Sequence, residues 1–428
     1  MFKTIADAFK VKEIRVKIFI TLGLLLVYRL GCWLPVPGVN LSAFKSNVDG
    51  QDFLSLISSV SGGALANGAI LALGISPYIS ASIIIQLLTI AIPSLERLSK
   101  MGEEGKKRIG LYNKICALVL AIVQAVAIVV SYSDSLNTKT LPAWLVGIMV
   151  VIILVAGSMF TYWLGEKITE VGIANGLSLL IFVGILSTAA TSLYSVIKNI
   201  FAGSTESIWE LVLFLVALII IFGFIVFFDA AERKIPVQYA KQIKGRKMYG
   251  GQSTFIPIRV NATGVMPIIF AMSLLSFPQL LFSIFWPNSG FYKWYSTWLG
   301  AGGWIYIVLV GLLITFFAYF WTQVTFNPEE ISKNIQQNGG FIPGIRPGRP
   351  TAEYLKKISN RITLFGALFL AIVAIVPSII FKALSFTGGL VGAFSATGLL
   401  IVVSVAIEFD KSLSSQLIIR NHKGFLNK

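Results

Sequence analysis

The sequence predicts an all-α polytopic membrane protein with ten transmembrane helices in two inverted five-helix halves. Three observations lead there. Hydrophobic residues make up 56% of the 428-residue chain and charged ones only 13%, with a mean hydropathy of +0.81. A soluble domain needs about 25% charged residues, so this composition excludes soluble, disordered and disulfide-scaffold classes. The apolar residues gather in ten runs, near 18–38, 69–93, 115–133, 142–164, 173–197, 208–230, 262–284, 303–323, 362–384 and 387–408. Each is close to the roughly 20 residues that cross a hydrocarbon layer. Finally, the net charge of +16 sits on alternate connections: segments 1–17, 91–114, 165–172, 229–261, 327–361 and 408–428 together hold +15 of it.

In lipid every backbone polar group must be satisfied internally, so continuous apolar runs of this length are helices. Porin-like alternation is not seen. Basic residues stay on the cytoplasmic side, which places both termini there in a plasma-membrane protein. The first run starts near Ile18, too long for a cleavable signal and without a small-residue site after it. The external connection 39–68 holds a moderately apolar piece too short to span, about 53–65. It reads either as an interfacial re-entrant segment or as a small movable helix folded back into the protein.

The second and seventh runs share a pattern, Gly74 before Pro77 and Gly264 before Pro267, each with three-residue spacing. Matched positions suggest a repeat, with an N-terminal half 1–200 and a C-terminal half 201–428. Gly/Pro-interrupted segments at matched positions line central paths, although proline is also common in membrane helices.

Ionisable groups avoid mid-depth. Arg29, Glu210 and Lys382 lie towards outer ends, and Asp229, Glu232, Glu408 and Asp410 towards inner ones. Cys32 and Cys116 read as small core residues, and the only histidine is His422. No nucleophile–base pair, metal cluster or phosphate-binding loop is present, so neither catalysis nor a cofactor is expected. A path lined by aliphatic and small polar groups suits a large, varied cargo, and bulky aliphatics could seal it by dewetting. The competing reading is an ion- or solute-coupled transporter with inverted repeats, which should show charges within its spans.

Two cytoplasmic loops are long and basic. Loop 229–261 holds Lys244, Arg246 and Lys247; loop 327–361 holds Arg346 and Arg349 in a Gly-Pro-rich frame. They serve as orientation signals alone, or as docking surfaces of defined shape.

Four stretches resemble the SecY family of protein-conducting channels: Gly74–Leu88 (GISPYISASIIIQLL), Ile235–Lys247 (IPVQYAKQIKGRK), Gln252–Pro267 (QSTFIPIRVNATGVMP) and Phe341–Gly348 (FIPGIRPG). The resemblance runs over essentially the whole chain. It implies a passive channel that secretes unfolded polypeptides and inserts membrane proteins sideways into lipid. It implies an hourglass pore closed by an apolar ring of Ile75, Ile79, Ile181, Ile185, Ile269 and Ile401. For the fifth span, Leu177 with Ile181 is an equally spaced alternative. It implies a plug over about 53–65 and a lateral gate at Pro77, Ser80, Pro267 and Ile268, which admits signal sequences. Lys244, Arg246, Lys247, Arg346 and Arg349 would dock the ATPase SecA or the ribosome with its nascent chain. SecE and SecG are the implied partner subunits, membrane lipid the surroundings, and no sequence-specific nucleic acid is expected.

Overall fold

A computed structural model gives the architecture and describes residues 2–38, 58, 61–131, 142–201, 206–239, 242–244, 247–249, 253–261, 264, 266–285, 289–299, 304–383 and 396–426. In chain order the helices are α1 (Phe2–Lys10), α2 (Lys12–Gly31), α3 (Ser76–Ala91), α4 (Pro93–Ser99), α5 (Glu103–Ser131), α6 (Ala143–Val171), α7 (Gly176–Phe201) and α8 (Glu206–Asp229). Strands β1 (Glu232–Tyr239), β2 (Gln242–Lys244), β3 (Lys247–Tyr249) and β4 (Ser253–Arg259) follow. Then come α9 (Met266–Phe285), α10 (Gly290–Trp298), α11 (Trp304–Thr325), α12 (Pro328–Gln337), β5 (Gly340–Phe341), α13 (Arg349–Ala383) and α14 (Ala396–Leu426).

Each of the ten apolar runs contains a helix: α2, α3, α5, α6, α7, α8, α9, α11, α13 and α14. Among the described residues five helices are long and apolar enough to cross a membrane unaided, and the α3–α4 pair, bent by 106°, makes a sixth candidate. The helix faces agree with a lipid surrounding. Phe19, Leu22 and Leu26 on α2, and Ile219, Ile220 and Phe227 on α8, are exposed. A water-soluble monomer rarely shows contiguous apolar surface of this kind.

Several boundaries differ from expectation. The second run does not enter as a helix. Residues 69–75 are turns, and α3 starts only at Ser76. Gly74 has φ +53° and Gly264 φ +61°, a left-handed geometry that side-chain-bearing residues rarely adopt. Pro77 and Pro267 are each the second residue of the helix that follows. There the missing N–H removes no ladder bond, so neither proline interrupts its helix. Prolines do fall inside other helical stretches: Pro278 in α9 and Pro377 in α13. In addition, α5, α13 and α14 run well past their apolar cores. The 35 residues of α13 span about 52 Å, more than a hydrocarbon layer needs, and its first turns are rich in charge.

The chain packs as two compact units, 1–211 with 273–301 and 385–428, and 212–272 with 302–384. The first holds α1–α7, the later part of α9, α10 and α14. Its main core joins Val36, Leu65, Ala72 and Leu73 to Ala125 and Ile128 of α5 and to Val146, Val150 and Leu154 of α6. Small residues let α6 approach its neighbours closely, as is usual between membrane helices. A Cβ on Gly157 would lie 2.1 Å from the Ile70 carbonyl oxygen, whereas one on Gly23 would meet nothing within 4 Å. Gly157→Ala is therefore expected to destabilise by about 1–3 kcal/mol through forced backbone movement. Gly23→Ala, in an open helix face, should be neutral or stabilising by up to about 1 kcal/mol. Melting of both variants in detergent checks the opposite signs.

The second unit contains a feature absent from the sequence reading: the two basic loops share one sheet. Strand β1 pairs antiparallel with β4, from Glu232 opposite Arg259 to Gln238 opposite Ser253. On its other edge β1 pairs with β5 through Gln238–Phe341 and Tyr239–Gly340. The order is β4-β1-β5, and β2–β3 form a separate hairpin.

Candidate functional site

Two regions carry the residues singled out by the sequence. The first, in unit one, surrounds the turns that lead into α3. Ile75 immediately precedes α3 and is only 4% exposed; its carbonyl accepts from Ile79 N–H at 3.1 Å, so the two side chains sit one helical turn apart. On α7, Ile185 is 3% exposed and Ile181 half-buried; on α14, Ile401 is 6% exposed. Helix α7 packs against α14 and α6.

The turn at Ser61–Gly62 joins these surroundings. Gly74, beside Ile75, places its Cβ position 3.3 Å from the Ser61 Cβ, and that of Gly62 lies 3.0 Å from the Cα of Gly184, the neighbour of Ile185. Ser158 of α6 donates to the Gly74 carbonyl at 3.1 Å. Leu177, the alternative ring residue, lies elsewhere. It is the second residue of α7 and lines a cavity of about 520 Å³ with Tyr78, Tyr162 and Glu166. Lys114 of α5 pairs with that Glu166 at 3.0 Å, and the Tyr162 hydroxyl donates to the same carboxylate.

Of the residues expected at the gate, Pro77 is buried and Ser80 half-buried on α3, while Pro267 and Ile268 are buried in the first turn of α9, in the second unit; Ile269, expected in the ring, is half-buried beside them. Most of the expected plug lies outside the described residues: of 53–65, only Ser58 and 61–65 are described. Ser58, Ser61, Gly62, Ala64 and Leu65 are buried. Cys32 and Cys116 are free thiols, with Cys32 buried.

The second region is the cytoplasmic face of unit two. Alternation along β1 turns Ile235 and Val237 inward and Lys234 and Pro236 outward; Arg233, near the open start of the strand, is exposed as well. The inward pair joins Ile258 of β4, Ile335 of α12, Leu355 of α13 and Ile342 of the loop after β5 in one apolar core. Asn261 Nδ2 donates to Asp229 at 2.8 Å and closes the base of the hairpin. On the outer face, Lys234 stands over the Phe255 ring at 4.8 Å.

The loop that holds Arg346 is tied at three points. Ile345 N–H donates to the Ile342 carbonyl at 3.0 Å, Thr351 Oγ1 to the Arg346 carbonyl at 2.8 Å, and Ser332 Oγ to the Gly348 carbonyl at 2.6 Å. The backbone is thus held from both sides while the Arg346 side chain stays exposed. Arg349 is exposed too, but pairs with Glu353 at 3.2 Å. Lys244 and Lys247 are register partners closing the β2–β3 hairpin, and Arg246 lies outside the described residues. The sequence reading missed Ser332 and Thr351 as supports; only their place beside the Gly-Pro frame could have marked them.

Comparison with known proteins adds the family. The SecY family model matches residues 69–409. A protein translocase subunit SecY of Streptomyces galbus is 41% identical over the full length of both chains. The one from Thermotoga maritima is 38% identical, covering all of this chain and 98% of its own. Among solved structures, one described as a protein conducting channel aligns with a TM-score of 0.67 at 22% identity, covering 92% of this chain and 90% of that one. Sec61 from a canine ribosome-channel complex gives 0.64 at 20%, with the same coverage. With a family model matching most of the chain and relatives this similar from end to end, the chain belongs to the SecY family.

Proposed function

We infer that this chain is the channel-forming subunit of a protein translocase in the cytoplasmic membrane. It conducts unfolded polypeptides across the bilayer and releases apolar segments sideways into lipid. The observation that carries this reading is the end-to-end similarity to translocase subunits. The chain is a conduit without a catalytic site, and the driving force comes from a partner.

On this reading Ile75, Ile79, Ile181, Ile185, Ile269 and Ile401 form the seal, in a channel built from halves 1–200 and 201–428. The burial of Ile185 beside the Gly62–Gly184 contact supports Ile181 with Ile185 over Leu177 with Ile181. The segment about 53–65 is the plug. Signal sequences enter between α3 and α9, at Pro77, Ser80, Pro267 and Ile268, and stabilise the parted state because they bind it better than the shut one. Mobility of α9 comes from Pro278, whose missing N–H weakens the helix there. An emerging apolar segment leaves sideways because burial in lipid is worth about 25 cal/mol per Å² of apolar surface.

The platform of β1, β4, β5 and the 342–348 loop receives SecA or the ribosome through Lys244, Arg246, Lys247, Arg346 and Arg349. SecE and SecG complete the membrane complex. The deciding experiment reconstitutes the complex in vesicles with a signal-bearing precursor. Protease protection of the precursor that requires both SecA and ATP is the expected result. Equal protection without them, or none with them, ends the reading.

A further inference from the structure

The last turn of α2 and its C-cap residue Cys32 present three donors to two consecutive carbonyls. Tyr28 Oη and Cys32 Sγ donate to the Ser61 carbonyl at 3.5 and 3.6 Å, and Arg29 Nη1 donates to that of Gly62 at 3.3 Å. The other arm of the same guanidinium, Nη2, donates to Ser187 Oγ on α7. Ser187 stands two residues beyond Ile185, and Gly62 is packed against Gly184. One side chain therefore fastens the Ser61–Gly62 turn to α7 at the level of the buried isoleucine. Arg29 is half-buried. An arginine within a spanning helix is costly and is retained where it has work to do. Its planar fork offers donors on separate nitrogens in fixed geometry, which suits two acceptors on different elements better than the single nitrogen of an ammonium group.

We propose that Arg29 is a latch of the resting channel: its guanidinium holds the Ser61–Gly62 turn against α7, and the turn moves away only when both bonds are given up. The proposal rests on the channel reading above and assigns a positioning role to a residue outside the seal, gate and docking sets. Both acceptors are neutral oxygens, so water can take their place as the turn leaves; a buried carboxylate partner would hold far more tightly. The latch is thus strong enough to bias the equilibrium and weak enough to release.

The bonds exist in the shut arrangement only, so removing them shifts the population towards the open one. Arg29→Leu is expected to raise resting ion flux in vesicles and to raise export of a precursor with a weakened signal sequence about tenfold, equivalent to about 1.4 kcal/mol. A gain of export separates a latch from a merely structural residue, whose loss would only lower activity. Amide exchange at 61–75 should speed up, with the mid-part of α5 unchanged. Arg29→Lys should restore part of the closure. Ser187→Ala should act in the same direction, and its effect should largely vanish on top of Arg29→Leu, because the two share one interaction.

Wild-type exchange and flux in both single variants overturn the latch, as does full additivity between them. If Arg29→Leu fails to insert, Ser187→Ala, which removes only a hydroxyl, decides alone. Exchange is read without any precursor, so the two readings fail separately. A wild type that exports nothing while the 61–75 amides loosen in Arg29→Leu removes the channel and keeps the tether. Normal export without loosening removes the latch alone.

Discussion

Arg346→Glu is expected to lower SecA-driven export at least about tenfold while leaving yield and melting temperature unchanged. The size follows from the chemistry of the contact. A hydrogen bond to a charged group contributes about 1.5–3 kcal/mol, and tenfold corresponds to about 1.4 kcal/mol. Replacing a cation by an anion adds repulsion from whatever acidic patch it met. The unchanged fold follows from the geometry. Ile342, Thr351 and Ser332 hold the loop through its backbone, and the Arg346 side chain is exposed. Exposed substitutions of this kind usually move stability by less than about 0.5 kcal/mol. Arg349→Glu is the internal comparison. Arg349 already pairs with Glu353, so its loss should weaken export less. Export in vesicles at matched SecA concentration measures both, and wild-type rates in Arg346→Glu would refute the docking role.

The second large effect concerns the seal. The double replacement Ile79→Gly with Ile181→Gly should raise resting ion conductance of reconstituted channels at least about tenfold. An apolar constriction excludes ions by expelling water, and each tenfold in passage is about 1.4 kcal/mol of barrier. These two isoleucines are chosen because they are half-buried, unlike Ile75 and Ile185, which are almost fully enclosed. Glycine costs about 1 kcal/mol per helical position, which the fold should tolerate at two sites. Conductance equal to wild type would remove both residues from the ring.

The ten helices were legible because lipid leaves the backbone no alternative wherever twenty apolar residues run together. Their ends were less legible. Residues 69–75 are as apolar as the helix they precede, yet they are turns, and hydropathy does not distinguish a buried turn from a buried helix. In sequence, Gly74 and Pro77 read as an interruption inside a span. Their meaning is the start of one.

The sheet was hidden for a different reason. Strand β1 carries Pro236 and β4 carries Pro257, and proline argues against a strand in the middle of a sheet. The structure reconciles this. β4 is an edge strand, and β5 reaches only Gln238 and Tyr239 of β1, so β1 has a single neighbour at Pro236. The period-two signal of Ile235 and Val237 was present but short, and it lay among lysines and arginines that drew attention to charge. Ser332 and Thr351 carry no chemistry of their own, and their part emerges only from the tertiary hydrogen bonds they make.

The shared sheet also dictates a timetable. About eighty residues separate the end of β4 from the start of β5, and α9 and α11 lie between them. The strand that completes the platform leaves the ribosome only after both of those helices have been made. A chain stalled before Gly340 would own most of its membrane helices and yet lack a finished landing site. If the platform is the docking site, an incompletely synthesised chain would be unable to recruit a motor, and strand order would itself act as a quality control.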